Sequence, residues 1–96
     1  MHVISRKPIS DFIRKHPQSA RSLETWWTVA EEAAWGDLTE VKAAWPSADY
    51  VRPFTVFNIS GNKYRLITRI NYEQQRVYVR AVRTHAEYDK DRWKAQ

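Results

Sequence analysis

Residues able to bind phosphate and to transfer protons lie close together near the end of the chain. The run 76–89 has a Val- and Tyr-rich strand pattern, and its charged or titratable members include Arg76, Arg80, Arg83, His85 and Tyr88. Guanidinium groups bind phosphate oxygens through paired hydrogen bonds, and an imidazole exchanges protons near neutral pH. This combination is typical of acid–base chemistry on a phosphodiester.

A second strand pattern, between Asn58 and Tyr72, carries further basic residues. With strict alternation its apolar face holds Tyr64, Leu66, Ile70 and Tyr72, and its polar face holds Lys63, Arg65, Arg69 and Asn71. The two basic faces are expected to lie side by side across a hairpin.

The chemistry that these residues suit is cleavage of RNA, which supplies its own nucleophile, the 2′-hydroxyl. Arginines would hold the charged phosphoryl oxygens, and His85 would protonate the leaving 5′-oxygen. The candidate residues are Arg65, Arg69, Arg80, Arg83, Lys63, His85 and Tyr88. In this hypothesis His85 is the general acid, and Lys63 or Tyr88 accepts the 2′-hydroxyl proton.

One geometric conflict concerns His85. By strict alternation it shares a face with Val77 and Val79, the expected core side. It reaches the basic face only if the strand ends or bulges near Arg83 and Thr84. A buried, structural His85 is the alternative.

Composition limits the remaining possibilities. The 96 residues are enough for one domain, residues 1–96, and 43% are hydrophobic, so a packed core is expected. The absence of cysteine excludes disulfides, a thiolate zinc site and a cysteine nucleophile. No run has membrane-spanning length, so we expect a cytoplasmic protein that makes no membrane contact. No metal or other cofactor is expected, because the three histidines are scattered.

The net charge of +5 is concentrated in the second half of the chain. Residues 1–51 contain six Lys/Arg and seven Asp/Glu, whereas residues 52–96 contain ten and four. Such asymmetry favours an anionic partner, although a simply solvated basic half is the plainer alternative.

The pattern of elements predicts an α+β fold. Helices are expected from Ser5 to His16, from Ser19 to Ala34 and after the cap Asp37. Trp26 and Trp27, in the second of these helices, are expected to lie in the protein core. Three strands then form an antiparallel sheet: 55–59, 63–72 and 76–83. The helices would cover one face, and a short helix over 86–93 would end the chain.

Four segments resemble the HigB-type toxins of bacterial toxin–antitoxin systems, within the RelE/ParE superfamily. They are MHVIS at 1–5, LTEVKAAWPSAD at 38–49, TVFNISGNKYRL at 55–66 and VRAVRTHAEYD at 79–89. The resemblance implies a RelE-like fold and an mRNA endoribonuclease that acts on ribosome-bound message and is inhibited by a HigA-like antitoxin. It implies a phosphate-binding role for Arg65 and a proton-donating role for His85, and it adds Asn62 as an RNA-binding candidate.

Two other functions fit the same residues. One is an RNA-binding module that does not cut its ligand. The other is a toxin aimed at DNA gyrase or another protein; such members of the superfamily tend to lack acid–base residues, so His85 favours a nuclease.

Overall fold

The computed structural model describes residues 1–90, and the predicted α+β class is confirmed. The elements are β1 His2–Ile4, α1 Lys7–Lys15, a 3₁₀ turn Pro17–Ser19, α2 Ala20–Glu32, α3 Leu38–Ala44, β2 Asp49–Val51, β3 Phe54–Ile59, β4 Tyr64–Asn71, β5 Arg76–Thr84 and α4 His85–Asp89. The last helix starts one residue before the predicted position. Trp93, at its predicted end, lies outside the described residues.

The five strands form one sheet in the order β1-β5-β4-β3-β2. Strands β2 to β5 pair antiparallel, as predicted, but β1 pairs parallel with β5, with Val3 opposite Val77. The sheet is therefore mixed rather than purely antiparallel. Strands β1 and β2 have three residues each, which is too short for a period of two to be recognised in the sequence.

The main core lies between the helices and one face of the sheet. Ile9 of α1 and Leu23 and Trp26 of α2 are fully buried, and they belong to the same cluster as Phe57 of β3. The prediction that Trp26 lies in the core is confirmed. Trp27 is only partly buried and packs at its edge, with the guanidinium of Arg6 5.0 Å from its ring centre.

Of the two predicted helix caps, the structure confirms one and contradicts the other. Asp37 caps α3 by accepting a hydrogen bond from the Glu40 backbone N–H at 3.0 Å. Ser5, in contrast, does not cap α1: Arg6 precedes the helix without a side-chain cap, and Ser5 has a left-handed backbone with a φ of 75°. The chain turns at Ser5 because β1 must reverse into α1 there.

A bulge in β5 resolves the conflict over His85. Thr68 of β4 pairs with Val79 and Ile67 pairs with Ala81, so Arg80 is the extra residue. Val79 and Val82 both belong to the main core, which means that the alternation changes phase at Arg80. The prediction that Ala81 shares a face with Val79 is wrong for this reason.

The opposite face of the sheet carries a second, smaller apolar cluster. It consists of Phe54, Val56, Ile67 and Ala81, with Val51 and Tyr88 packed against it. We call this the outer face. After the phase change, Ala81, Arg83 and the start of α4 follow the outer face, together with Arg65 and Ile67 of β4. Within residues 1–90 no helix is long and apolar enough to cross a membrane.

Candidate functional site

The candidate residues meet where β5 ends and β4 begins. Arg65 and Arg83 are directly paired in the register of the two strands. The His85 backbone N–H donates to the Lys63 carbonyl at 3.0 Å, which fixes the start of α4 beside the β3–β4 turn. Two pairs of residues that are distant in sequence, Lys63 with Arg65 and Arg83 with His85, thus lie at one end of the outer face.

Arg65 is the most enclosed of them, with only 9% of its surface exposed. Its Nη1 donates to the carbonyls of Asn62 and Tyr64, each at 3.2 Å, and its Nη2 donates to Asn62 Oδ1 at 2.7 Å. The Tyr88 ring lies 5.5 Å from its guanidinium carbon. Arg65 therefore joins the β3–β4 turn to α4, and within residues 1–90 its Nε–H and one Nη2 hydrogen make no hydrogen bond.

His85 is only partly buried, so the structure contradicts the alternative of a buried imidazole. Its Nδ1 lies 2.9 Å from Asp89 Oδ2, one helical turn further on, and 45% of its side chain is exposed. A carboxylate at Nδ1 fixes the orientation of the ring, and Nε2 makes no hydrogen bond or ion pair within residues 1–90.

The helix that carries His85 starts with a capping box. Thr84 Oγ1 accepts from the Glu87 N–H at 3.2 Å, and Glu87 Oε1 accepts from the Thr84 N–H at 2.9 Å. The Thr84 backbone hydrogen bond lowers the pKa of Glu87 below its ordinary value; the Thr84 hydroxyl and the charges of Arg83 and His16 act in the same direction, and partial burial opposes them.

Two predicted cationic residues, Lys63 and Arg83, lie beside Arg65 and His85 with their side chains exposed or partly exposed. The Lys63 side chain is exposed and makes no hydrogen bond or ion pair with other residues of the 1–90 range. Arg83 is partly exposed and donates from Nη1 to the Val82 carbonyl at 3.2 Å. Asn62, in contrast, supports Arg65 through its own carbonyl and side-chain oxygens.

The remaining two arginines lie further along the sheet, and Arg80 lines one cleft together with Arg83. Arg69 lies four residues beyond Arg65 on β4, which is about 13 Å along the strand, and pairs with Tyr78. Arg80, the bulge residue, places its guanidinium carbon 5.8 Å from the Phe54 ring centre, near the middle of the outer face. The basic residues thus form a line along this face, with proton-transfer groups at one end.

Two parts of the site escaped the sequence-based prediction. Asp89 stands four residues after His85, a spacing that signals contact on a helix, and Thr84 with Glu87 has the spacing of a capping box. Both signals are present in the sequence. The bulge at Arg80 has no comparable signal, because an arginine fits a regular strand equally well.

Proteins of similar sequence identify the family to which this chain belongs. Residues 19–91 match the family model of the HigB toxin, described as the RelE-like toxic component of a toxin–antitoxin system. The chain is 34% identical over 93 residues to the mRNA interferase HigB of Escherichia coli O6:H1 strain CFT073, covering 94% of this chain and 90% of that protein. It is also 34% identical over 92 residues to the mRNA interferase toxin HigB of E. coli K12 and to the mRNA interferase HigB of Shigella flexneri, covering 93% of this chain and 88% of each.

These matches define the class as the RelE-like toxins of toxin–antitoxin systems. Within that class, the chain belongs to the HigB toxin family. Membership implies an antitoxin as partner.

Proposed function

We propose that this protein is a toxin that cuts mRNA by metal-independent acid–base catalysis and is inhibited by a HigA-like antitoxin. The observation that carries the proposal is the pairing of Arg65 with Arg83 beside the half-exposed His85. The names of its relatives, mRNA interferases, support the same activity.

The proposed reaction is an in-line displacement at phosphorus. Lys63 as a neutral amine, or Tyr88 as a phenolate, takes the proton of the 2′-hydroxyl, whose oxygen forms a bond to the adjacent phosphorus. The bond from phosphorus to the 5′-oxygen breaks, and His85 Nε2 donates its proton to that oxygen. The products are a 2′,3′-cyclic phosphate and a 5′-hydroxyl, and no electrons are transferred.

The arginines would differ in how they help. Arg83, which is partly exposed, would make the direct contact with the scissile phosphate. Arg65 would add its charge and its two remaining N–H hydrogens, while the Tyr88 ring above it must shift for a phosphate to reach them. Arg80, Arg69 and Asn62 would hold neighbouring parts of the RNA along the outer face.

Asp89 has a positioning role in this proposal. Its carboxylate accepts from His85 Nδ1–H, which keeps the imidazole turned so that Nε2 faces the leaving oxygen. It acts through His85 and need not contact RNA.

The proposed substrate is message on translating ribosomes, and the basic outer face supports this because ribosomal RNA surrounds the message with phosphates. The antitoxin would block the same face with acidic or apolar segments.

A 2′-deoxy substitution tests the reaction directly. The purified protein is mixed with an mRNA, free or on programmed ribosomes, and the cut site is mapped; one deoxynucleotide is then placed 5′ to that site. We expect this change to abolish cutting there, and the unmodified RNA to yield a 2′,3′-cyclic phosphate without added metal. Cutting at the deoxynucleotide would contradict the mechanism, and RNA binding without any cutting would favour the non-catalytic module.

A further inference from the structure

A cleft beside the β3–β4 turn is lined by one aromatic ring, one arginine and several hydroxyl groups. It has a volume of about 510 Å³ and is lined by Arg21, Ser22, Thr25, Trp45, Ser47, Asn58, Ser60 and Gly61. None of these residues is acidic. Arg21 is exposed and makes no ion pair with other residues in the 1–90 range, so the cleft has an uncompensated positive charge.

The pairing of β2 explains why the cleft exists. Strand β2 covers β3 only from Phe54 to Val56, which leaves the edge of β3 from Phe57 onward without a partner strand. Trp45, just after α3, occupies this edge, and its Nε1–H donates to the Asn58 carbonyl at 2.9 Å. Because that N–H is already bonded, the free part of the indole offers a π surface rather than a donor.

The walls of the cleft are fixed to each other. Ser60 Oγ donates to Ser22 Oγ at 2.7 Å, which joins the turn to α2. The Trp45 ring contacts Phe57 edge-on, with ring centres 6.4 Å apart, so the main core holds it in place. A ligand would therefore meet a preformed wall of one aromatic ring and several hydroxyl groups.

The position of the cleft connects it with the proposed nuclease site. Ser60 and Gly61 line the cleft, and Asn62 and Lys63, the next two residues of the same turn, belong to the proposed site. We propose that the cleft binds one unpaired nucleotide of the RNA next to the cut linkage, with its base stacked on Trp45 and its phosphate near Arg21. Single-stranded RNA is bound in this way, by aromatic rings for bases and cations for phosphates. The inference rests on the proposed function for its substrate class.

The test measures binding of a fluorescent 2′-O-methyl RNA oligonucleotide, which lacks the nucleophile and cannot be cut. We expect Trp45→Leu to weaken binding about tenfold, since base stacking on an aromatic ring contributes that order of affinity. Abasic residues are then placed at each position of the oligonucleotide in turn. At one position, that of the base stacked on Trp45, the abasic residue should make the affinities of Trp45→Leu and the unchanged protein equal. Arg21→Ala, an exposed change that does not disturb the core, should reduce the slope of log affinity against log salt by about 0.7.

Arg14→Ala is the matched control, because Arg14 is an exposed helix arginine outside the cleft. It should bind the oligonucleotide like the unchanged protein. Equal affinity of the Trp45→Leu and Arg21→Ala variants and the unchanged protein would overturn the proposal, as would failure of the unchanged protein to bind. If the two variants bind the antitoxin more weakly but bind RNA normally, the nucleotide proposal is wrong and the cleft is a protein-docking site.

The cutting assay separates this inference from the proposed function. If the unchanged protein cuts mRNA but the two cleft variants bind RNA normally, the cleft proposal fails and the nuclease proposal stands. If the base-dependent binding is found but the protein never cuts RNA, the nuclease proposal fails and the cleft proposal stands.

Discussion

At the scale of single residues, the fold holds Arg65 and His85 in very different ways. Arg65 is nearly buried and donates three hydrogen bonds to the turn at residues 62–64. His85 is half exposed, and among the described residues its side chain pairs with Asp89 alone. The first therefore contributes to stability as well as to the site, whereas the second is free to act on a ligand.

Replacement of Arg65 by Ala should lower the free energy of unfolding by about 2 kcal/mol, because buried hydrogen bonds and the Tyr88 contact are lost. Lys63→Ala, two residues away and exposed, should change it by no more than about 0.5 kcal/mol. Urea unfolding of both variants measures the difference. Equal stability of the two would show that Arg65 has no structural role.

Substitutions of Asp89 separate orientation of the His85 ring from charge. Asp89→Ala removes the acceptor for Nδ1–H and should lower kcat for RNA cleavage about tenfold with KM unchanged, since a misplaced acid loses rate rather than affinity. Asp89→Asn keeps an oxygen acceptor and should retain most of kcat. Steady-state kinetics on the same RNA measure kcat and KM for both variants. A rise in KM alone for Asp89→Ala would mean that Asp89 instead affects RNA binding.

At the scale of elements, the bulge in β5 and the short helix α4 determine where the site forms. The bulge moves Arg83 to the same side as Arg65, and the capping box starts α4 directly at the strand end. A helix of five residues is not stable alone, so its cap and its contacts with β4 and β5 must hold it.

Acidification should release α4 through Glu87. Its pKa in the folded protein lies below the ordinary value of 4.5, so the ionised carboxylate stabilises the cap above that pH, and this contribution is lost as pH falls through the folded pKa. We expect the amide resonances of α4 to move toward unstructured positions below about pH 4.5 while the main core stays folded.

Glu87→Gln is the control, because it keeps the side-chain oxygen that accepts from Thr84 N–H but cannot titrate. The α4 resonances of this variant should not move toward unstructured positions in that range. The same acid transition in the variant would assign it to another group.

At the scale of the whole molecule, the sequence was sufficient for the class of fold and for most of the candidate site. Long periodic segments such as residues 20–32 and 64–71 can be predicted as helix or strand, because burial on one face fixes the spacing of apolar residues. The parallel strand β1 could not be predicted, since its pairing with β5 depends on contacts far apart in sequence. The phase change at Arg80 was equally hidden, and it decides which face His85 follows.

The central claim is that this chain cuts mRNA and needs His85 to do so, and sequencing of RNA 5′ ends after induction tests it most directly. The unchanged protein and His85→Ala are induced to equal levels without antitoxin. The account predicts new internal 5′ ends within coding regions for the unchanged protein, and a loss of about 10²-fold or more in their frequency for His85→Ala, the usual contribution of a general acid. Equal frequencies in the two strains, or intact messages accompanied by DNA damage, would contradict it.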